Sequence, residues 1–212
     1  MDSVLSSESS APAAPGAGAA AGGMYVRDTV RRSVKLLIVG HFAVGKTTFV
    51  STLSEIRPLR TEERMTQAGA PIDDLTGVPD KTHTTVAMDF GRLTLSDRLV
   101  LYLFGTPGQG RFKRLWEDLS LGALGALVLV DTRRLEKSFE IMDLVERHGL
   151  PYAVAVNAFD GAPVFPDEEV REALDLHPAT PLVTCDARDR ASSARALIAL
   201  VDHLIATERE QS

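Results

Sequence analysis

The stretch KLLIVGHFAVGKTTFVSTL, Lys35 to Leu53, constrains the fold more than any other part of this 212-residue chain. Val34 to Val39 is a nearly continuous apolar run, the pattern of a strand buried on both faces. It ends at a glycine, and from Lys46 the residues Phe49, Leu53 and Ile56 fall on one face of a helix. A strand that empties through glycines into a helix needs neighbouring strands beside it and helices against both faces.

The rest of the chain supplies them. Thr85 to Phe90 alternates, with Val86, Met88 and Phe90 on one side, and LTL and LVLYLF follow with SDR between them, a hairpin-like antiparallel pairing. Phe112, Leu115, Trp116 and Leu119 predict an amphipathic helix, Ala126 to Val130 a strand, and Leu135, Phe139, Met142 and Val145 another helix. Tyr152 to Val156 reads as a strand, and PDEEVREAL opens with the proline and acids expected of a helix N-terminus. PLVTC is a last strand, and Leu197, Leu200, Val201 and Leu204 line a last helix. This order predicts an α/β fold, a mostly parallel six-stranded sheet with one antiparallel strand and helices on both faces. Arg57 to His83 stands apart, with three prolines and no sustained periodicity. A loop of that length in a compact domain is expected to be functional or mobile.

Gly40-His41-Phe42-Ala43-Val44-Gly45-Lys46-Thr47 matches G-x-x-x-x-G-K-[ST], with a strand before it and a helix after it. Glycines let the backbone turn so that successive N–H groups converge on phosphate oxygens, and the helix N-terminus adds partial positive charge. Lys46 would neutralise β/γ-phosphate charge, the Thr47 hydroxyl would ligate Mg²⁺, and Thr48 would reach the α-phosphate. The chain is expected to bind a nucleoside phosphate.

Two further segments resemble Ras-like small GTPases of the P-loop NTPase superfamily. Asn157-Ala158-Phe159-Asp160, at the end of the fifth expected strand, resembles the family's N-K-x-D element. The resemblance implies that Asp160 accepts hydrogen bonds from guanine N1–H and the 2-amino group together. Adenine lacks that donor pair, so two charge-assisted bonds favour guanine by a factor on the order of a hundred or more. Asn157 would tie the strand end to neighbouring backbone and to the base. Ala158 departs from the family's lysine, whose stem covers base and ribose. Asp186-Ala187-Arg188 sits where the family has S-A-K, which implies that the Ala187 N–H contacts guanine O6. Cys185 beside it reads as an inert packing residue, with redox sensitivity as the lesser alternative.

Phe104 to Gln109, FGTPGQ, stands in the place of D-T-A-G-Q, so the resemblance gives Gly108 an N–H to the γ-phosphate and Gln109 the attacking water. Gly105 replaces the magnesium-supporting aspartate. Either another acid substitutes, Asp89 or Asp131, or Mg²⁺ is held by Thr47, phosphates and water, and slow hydrolysis is expected. TTVAMDF resembles switch I, with Thr85, or Thr84 one residue earlier, as the γ-phosphate-sensing and Mg²⁺-coordinating threonine. The 57–83 segment is then an enlarged switch I. Arg57, Arg60 and Arg64 within it are either solvated or a charge-neutralising finger supplied in cis.

With MDFGR, ALVLVDTRRL and VAVNAFDG added, the pattern from Lys35 to Ile205 resembles the small GTPases of actinobacterial conservons, distant relatives of the bacterial gliding-motility GTPase. That resemblance implies a membrane sensor-kinase-like partner, a Roadblock-fold regulator and signalling at the inner face of the plasma membrane.

Composition sets the remaining bounds. A net charge of −6 gives no reason to expect general nucleic-acid binding, which usually needs a basic face, and Cys185 as the single cysteine excludes an intrachain disulfide and suits a reducing compartment. Residues 1–30 read as a disordered Ser/Ala/Gly/Pro tail without a signal peptide, and residues 31–208 as the small GTPase domain. Leu121 to Val130, the longest apolar run, is about half the length of a membrane span. The expected setting is cytoplasmic. Arg27, Arg31, Arg32 and Lys35 suit a solvated strand opening better than a lipid or partner contact. Three functions remain open: a GTP-hydrolysing switch, a nucleotide-gated binding module with negligible turnover, and, least favoured, an ATP-using P-loop enzyme.

Overall fold

The apolar run at Val34 to Val39 forms the centre of the sheet. A computed structural model describes residues 30–64, 85–107 and 113–211. In chain order the elements are β1 (Arg32–Val39), α1 (Lys46–Leu53), β2 (Leu59–Arg64), β3 (Thr85–Ser96), β4 (Leu99–Gly105), α2 (Lys113–Ser120) and β5 (Ala123–Val130). A 3₁₀ segment (Thr132–Ser138) follows, then α3 (Phe139–Arg147), β6 (Tyr152–Asn157), α4 (Asp167–Ala173), β7 (Leu182–Cys185) and α5 (Arg190–Gln211). The strands lie in the order β2-β3-β4-β1-β5-β6-β7. β1 pairs in parallel with β4 on one side and β5 on the other, and β5, β6 and β7 continue in parallel.

Alternation along β1 divides the core into two layers, as the pleat requires. Leu36 and Ile38 pack with Phe49, Val50 and Leu53 of α1 and with Leu197 and Leu200 of α5. Leu37 and Val39 pack on the other face with Trp116 of α2, Ile141, Met142 and Val145 of α3, and Val170 of α4. All four β1 residues are fully buried. The fold is the α/β arrangement of P-loop nucleotide-binding proteins.

The six expected strands are present, and β3 is the one that runs against the rest, antiparallel to β4. A seventh strand, β2, lies within the 57–83 segment and pairs antiparallel with β3 from Leu59↔Phe90 to Arg64↔Thr85. The expectation of a continuous loop there is corrected for its first residues. A strand held by its ladder at a sheet edge does not need an apolar face, and LRTEER has none to show. Phe139 also departs from expectation. It is 46% exposed, because Leu135 belongs to the 3₁₀ segment (Thr132–Ser138), whose tighter turn of about three residues does not keep positions four apart on one face. The tail expected at residues 1–30 lies, apart from Val30, outside the described residues. No helix among the described residues is long and apolar enough to cross a membrane.

Every parallel strand ends at the same edge of the sheet, the edge where open α/β sheets bind their ligands. Gly40, Gly105, Asp131, Asn157 and Cys185 all stand there, at or just past the C-terminal ends of β1, β4, β5, β6 and β7.

Candidate functional site

The glycine-bounded loop between β1 and α1 is built for close approach. Gly45 is the N-cap of α1 at φ 104, and a Cβ there would stand 2.5 Å from Asn157 Nδ2. Only glycine satisfies both the left-handed conformation and the missing space. Ala43 is left-handed as well (φ 63), a non-glycine strain of the kind found at binding loops. α1 has no side-chain cap and no acid in its first turn, so its N-terminal N–H groups and positive dipole end stay available to an anion.

Lys46 is buried, and its Nζ donates to the carbonyls of Gly40 (2.8 Å) and His41 (2.7 Å). Burial pushes its ammonium down to about 8, with the Asp89 carboxylate opposing that fall. An ammonium desolvated this far favours an anionic partner strongly. His41 is buried too. Its Nδ1 lies 2.6 Å from Phe42 O, its Nε2 has no hydrogen-bond partner among the described residues, and burial lowers its pKa. Phe42, Thr47 and Thr48 are exposed on the loop and the first turn of α1.

The acid absent at position 105 has a neighbour in its place. Asp89 on β3 stands opposite Gly105 on β4 in the antiparallel register. A Cβ on Gly105 would lie 3.1 Å from Asp89 Cβ and 3.3 Å from its Oδ2, so the Asp89 carboxylate fills the volume that a side chain at 105 would need. The Thr47 hydroxyl donates to Asp89 Oδ2. A hydroxyl and a buried carboxylate, both hard oxygen donors, suit Mg²⁺ beside a phosphate cradle.

Of the two substitute acids considered from the sequence, Asp131 is engaged elsewhere. Its buried carboxylate caps the 3₁₀ segment through Arg133 N (3.0 Å) and accepts a bidentate grip from Arg133 Nε (2.9 Å) and Nη2 (2.8 Å). Those bonds hold the acid well below the usual carboxylate range. The Arg133 guanidinium in turn lies 4.0 Å from the centre of the Phe159 ring. Asp131 is thus a brace under the 157–160 turn, a role that sequence reasoning missed. Its only signal was an acid two residues before an arginine at a strand end.

Asn157 joins the two halves of the site. Buried at the end of β6, it donates through Nδ2 to Val44 O (2.9 Å) and accepts the Ala187 N–H on Oδ1 (2.9 Å). One amide therefore clips the β1–α1 loop to the loop after β7. The Ala187 N–H, expected to face a base, instead satisfies the buried Asn157 oxygen. Beyond it Arg188 bridges two acids. Its Nε and Nη2 donate to Asp186 (2.9 Å each), and its Nη1 and Nη2 donate to the two oxygens of Asp160 (3.1 and 3.2 Å). Arg188 holds both carboxyls below their ordinary range. Cys185 is buried, and its thiol is pushed up to about 12 by burial, as befits an inert packing residue.

The remaining candidates are placed less fully. Gly108, Gln109 and Thr84 lie outside the described residues. Thr85 opens β3 opposite Arg64, and Arg60 stands opposite Asp89 on β2. Arg57 is exposed between α1 and β2.

Residues 38–207 match a family described as "Conserved hypothetical ATP binding protein". An uncharacterized protein of Methanocaldococcus jannaschii is 33% identical over 129 residues, which cover 60% of this chain and 71% of that protein. Ras-related protein Rab-40A-like of Homo sapiens is 32% identical over 130 residues, covering 58% of this chain and 40% of that protein. The chain therefore spans less than half the length of the human relative.

Proposed function

From the premise that this chain belongs to the family of conserved hypothetical ATP-binding proteins, we propose that it is a guanine-nucleotide switch that binds GTP with Mg²⁺ and hydrolyses it slowly to GDP. The observation that carries this reading is the Asn157 clip, which joins the Lys46 loop to the loop after β7, with the exposed acid Asp160 three residues further along the chain. The family description names ATP, but adenine presents no pair of adjacent donors to a carboxylate, whereas guanine does. Likeness to a Ras-related protein supports the same choice.

In this reading the β1–α1 loop, Gly40 to Lys46, and the N–H groups of Thr47 and Thr48 cradle the phosphates. Thr47 would hold Mg²⁺, and Asp89 would support it in the role left open by Gly105. Magnesium supplies charge neutralisation between phosphate oxygens when bound. Asn157, Asp160 and the Asp186-Ala187-Arg188 turn read the base. Thr85, Gly108 and Gln109 serve as the γ-phosphate sensor, its backbone donor and the water-orienting residue. Arg57, Arg60 or Arg64 is the source of any cis-acting arginine. GTP-dependent ordering of the segments around Thr85 and Gly108 presents a surface to a partner, and hydrolysis releases it. Resemblance to conservon GTPases extends the reading to a Roadblock-fold regulator, a sensor-kinase-like membrane protein and recruitment to the membrane's inner face.

Ion-exchange chromatography of the nucleotide released from purified protein tests this directly. Guanosine phosphates are expected, and adenosine phosphates alone reject the base assignment. Gly105 favours a second reading, a nucleotide-gated binder with negligible turnover. Single-turnover GTP hydrolysis with and without a Roadblock-fold partner separates the two, since a stimulated rate excludes the pure binder.

A further inference from the structure

Arg188 presents to Asp160 the same donor pattern that guanine would. Two terminal nitrogens of one planar group donate side by side to the two oxygens of one carboxylate, at 3.1 and 3.2 Å. The N1–H and 2-amino edge of guanine is likewise a planar group with two adjacent N–H donors. We propose that Arg188 is a built-in stand-in for the base, which occupies Asp160 until guanine displaces it and so sets the rate of nucleotide capture. The proposal rests on the guanine reading of Asp160.

The two ends of the bridge are unequal. Toward Asp186 the contacts are shorter, and that acid also accepts the Arg188 backbone N–H at 2.9 Å, two residues away. Toward Asp160 they are longer, span 28 residues and end on a carboxylate that is 89% exposed. The releasable end is therefore the Asp160 end, and Asp186 is the pivot. Guanine exchanges one donor pair for another, so Asp160 is paired both before and after capture. Once released, the guanidinium remains tethered to Asp186 at the rim of the base site. A planar cation there can lie against a purine face, which is the cover that Ala158 does not give.

Stopped-flow association of ribose-labelled fluorescent GDP with the full chain tests this. Exposed ion pairs shift equilibria by a factor of about five or less, so Arg188→Ala is expected to speed association roughly two- to fivefold. It should also speed dissociation through lost cover. Arg188→Lys keeps the charge but cannot offer two fixed parallel donors, and it should accelerate association as well. Asp160→Asn removes the carboxylate that the stand-in grips, and in that background Arg188→Ala should add no acceleration. Association that is unchanged or slower in Arg188→Ala overturns the proposal, as does an acceleration that persists with Asp160→Asn. Wild-type protein that captures no labelled GDP refutes the base assignment itself and the stand-in with it. Capture with no Arg188 effect refutes only the stand-in.

Discussion

The Thr47 hydroxyl in the first turn of α1 hydrogen-bonds the Asp89 carboxylate on β3, 42 positions along the chain. The antiparallel register that sets Asp89 opposite Gly105 delivers an acid to the end of β4 from the neighbouring strand. The acid that the β4 sequence lacks is therefore available at the same edge, provided that position 105 carries no side chain.

That exchange of strands is testable by moving the acid back. Asp89→Ala should weaken Mg²⁺-dependent GTP binding by roughly ten- to a hundredfold, the usual cost of losing a group that orients a metal's ligands. Gly105→Asp alone should crowd Asp89, whose Cβ lies 3.1 Å from the new Cβ. Gly105→Asp combined with Asp89→Gly should restore the magnesium dependence. Titration of GTP with and without Mg²⁺ reads all three, and an Asp89→Ala protein with unaltered metal dependence removes Asp89 from the metal site.

Lys46 gives the pH dependence. Its pKa, lowered from 10.5 to about 8 by burial, means that the unfolded chain binds more protons between those values. Folding stability of the free protein therefore rises with pH across that window. A bound polyphosphate favours the charged ammonium, so nucleotide binding takes up a proton there. Affinity is expected to fall as pH climbs past 8, approaching about tenfold per pH unit. Calorimetric titration near pH 8.5 in two buffers of different ionisation enthalpy measures the uptake, and its absence shows that Lys46 is already fully charged in the free protein.

Asn157→Ala should harm stability and binding together. It leaves Val44 O and the Ala187 N–H without the partners that they have in the fold. A loss of about 2 kcal/mol or more follows from stranding buried polar groups, equivalent to roughly 4–8 °C in Tm for a domain of this size. Differential scanning calorimetry with and without GDP reads both effects. A Tm within 1 °C of wild type (about 0.5 kcal/mol or less) contradicts the clip.

How much of this was legible in the sequence depended on where each signal came from. β1, β5 and β6 announced themselves because strands buried on both faces must be apolar throughout, as Leu36 to Val39 and Ala126 to Val130 are. The phosphate loop was legible because its glycines answer a local steric demand. β2 was not, since LRTEER is held by pairing with β3 rather than by an apolar face of its own. The choice between Asp89 and Asp131 was equally hidden, because it depends on the register of β3 against β4 and on an arginine that claims Asp131. The grip of Arg188 on Asp160 joins loops 28 residues apart, and no local pattern encodes it.

The affinity ratio of GDP to ADP, measured by calorimetric titration on wild-type protein and on Asp160→Ala, tests the central claim most directly. The account predicts a preference for GDP on the order of a hundredfold or more in the wild type, falling toward unity in the variant. Equal affinities in the wild type, or a preference that survives loss of the Asp160 carboxylate, would contradict it.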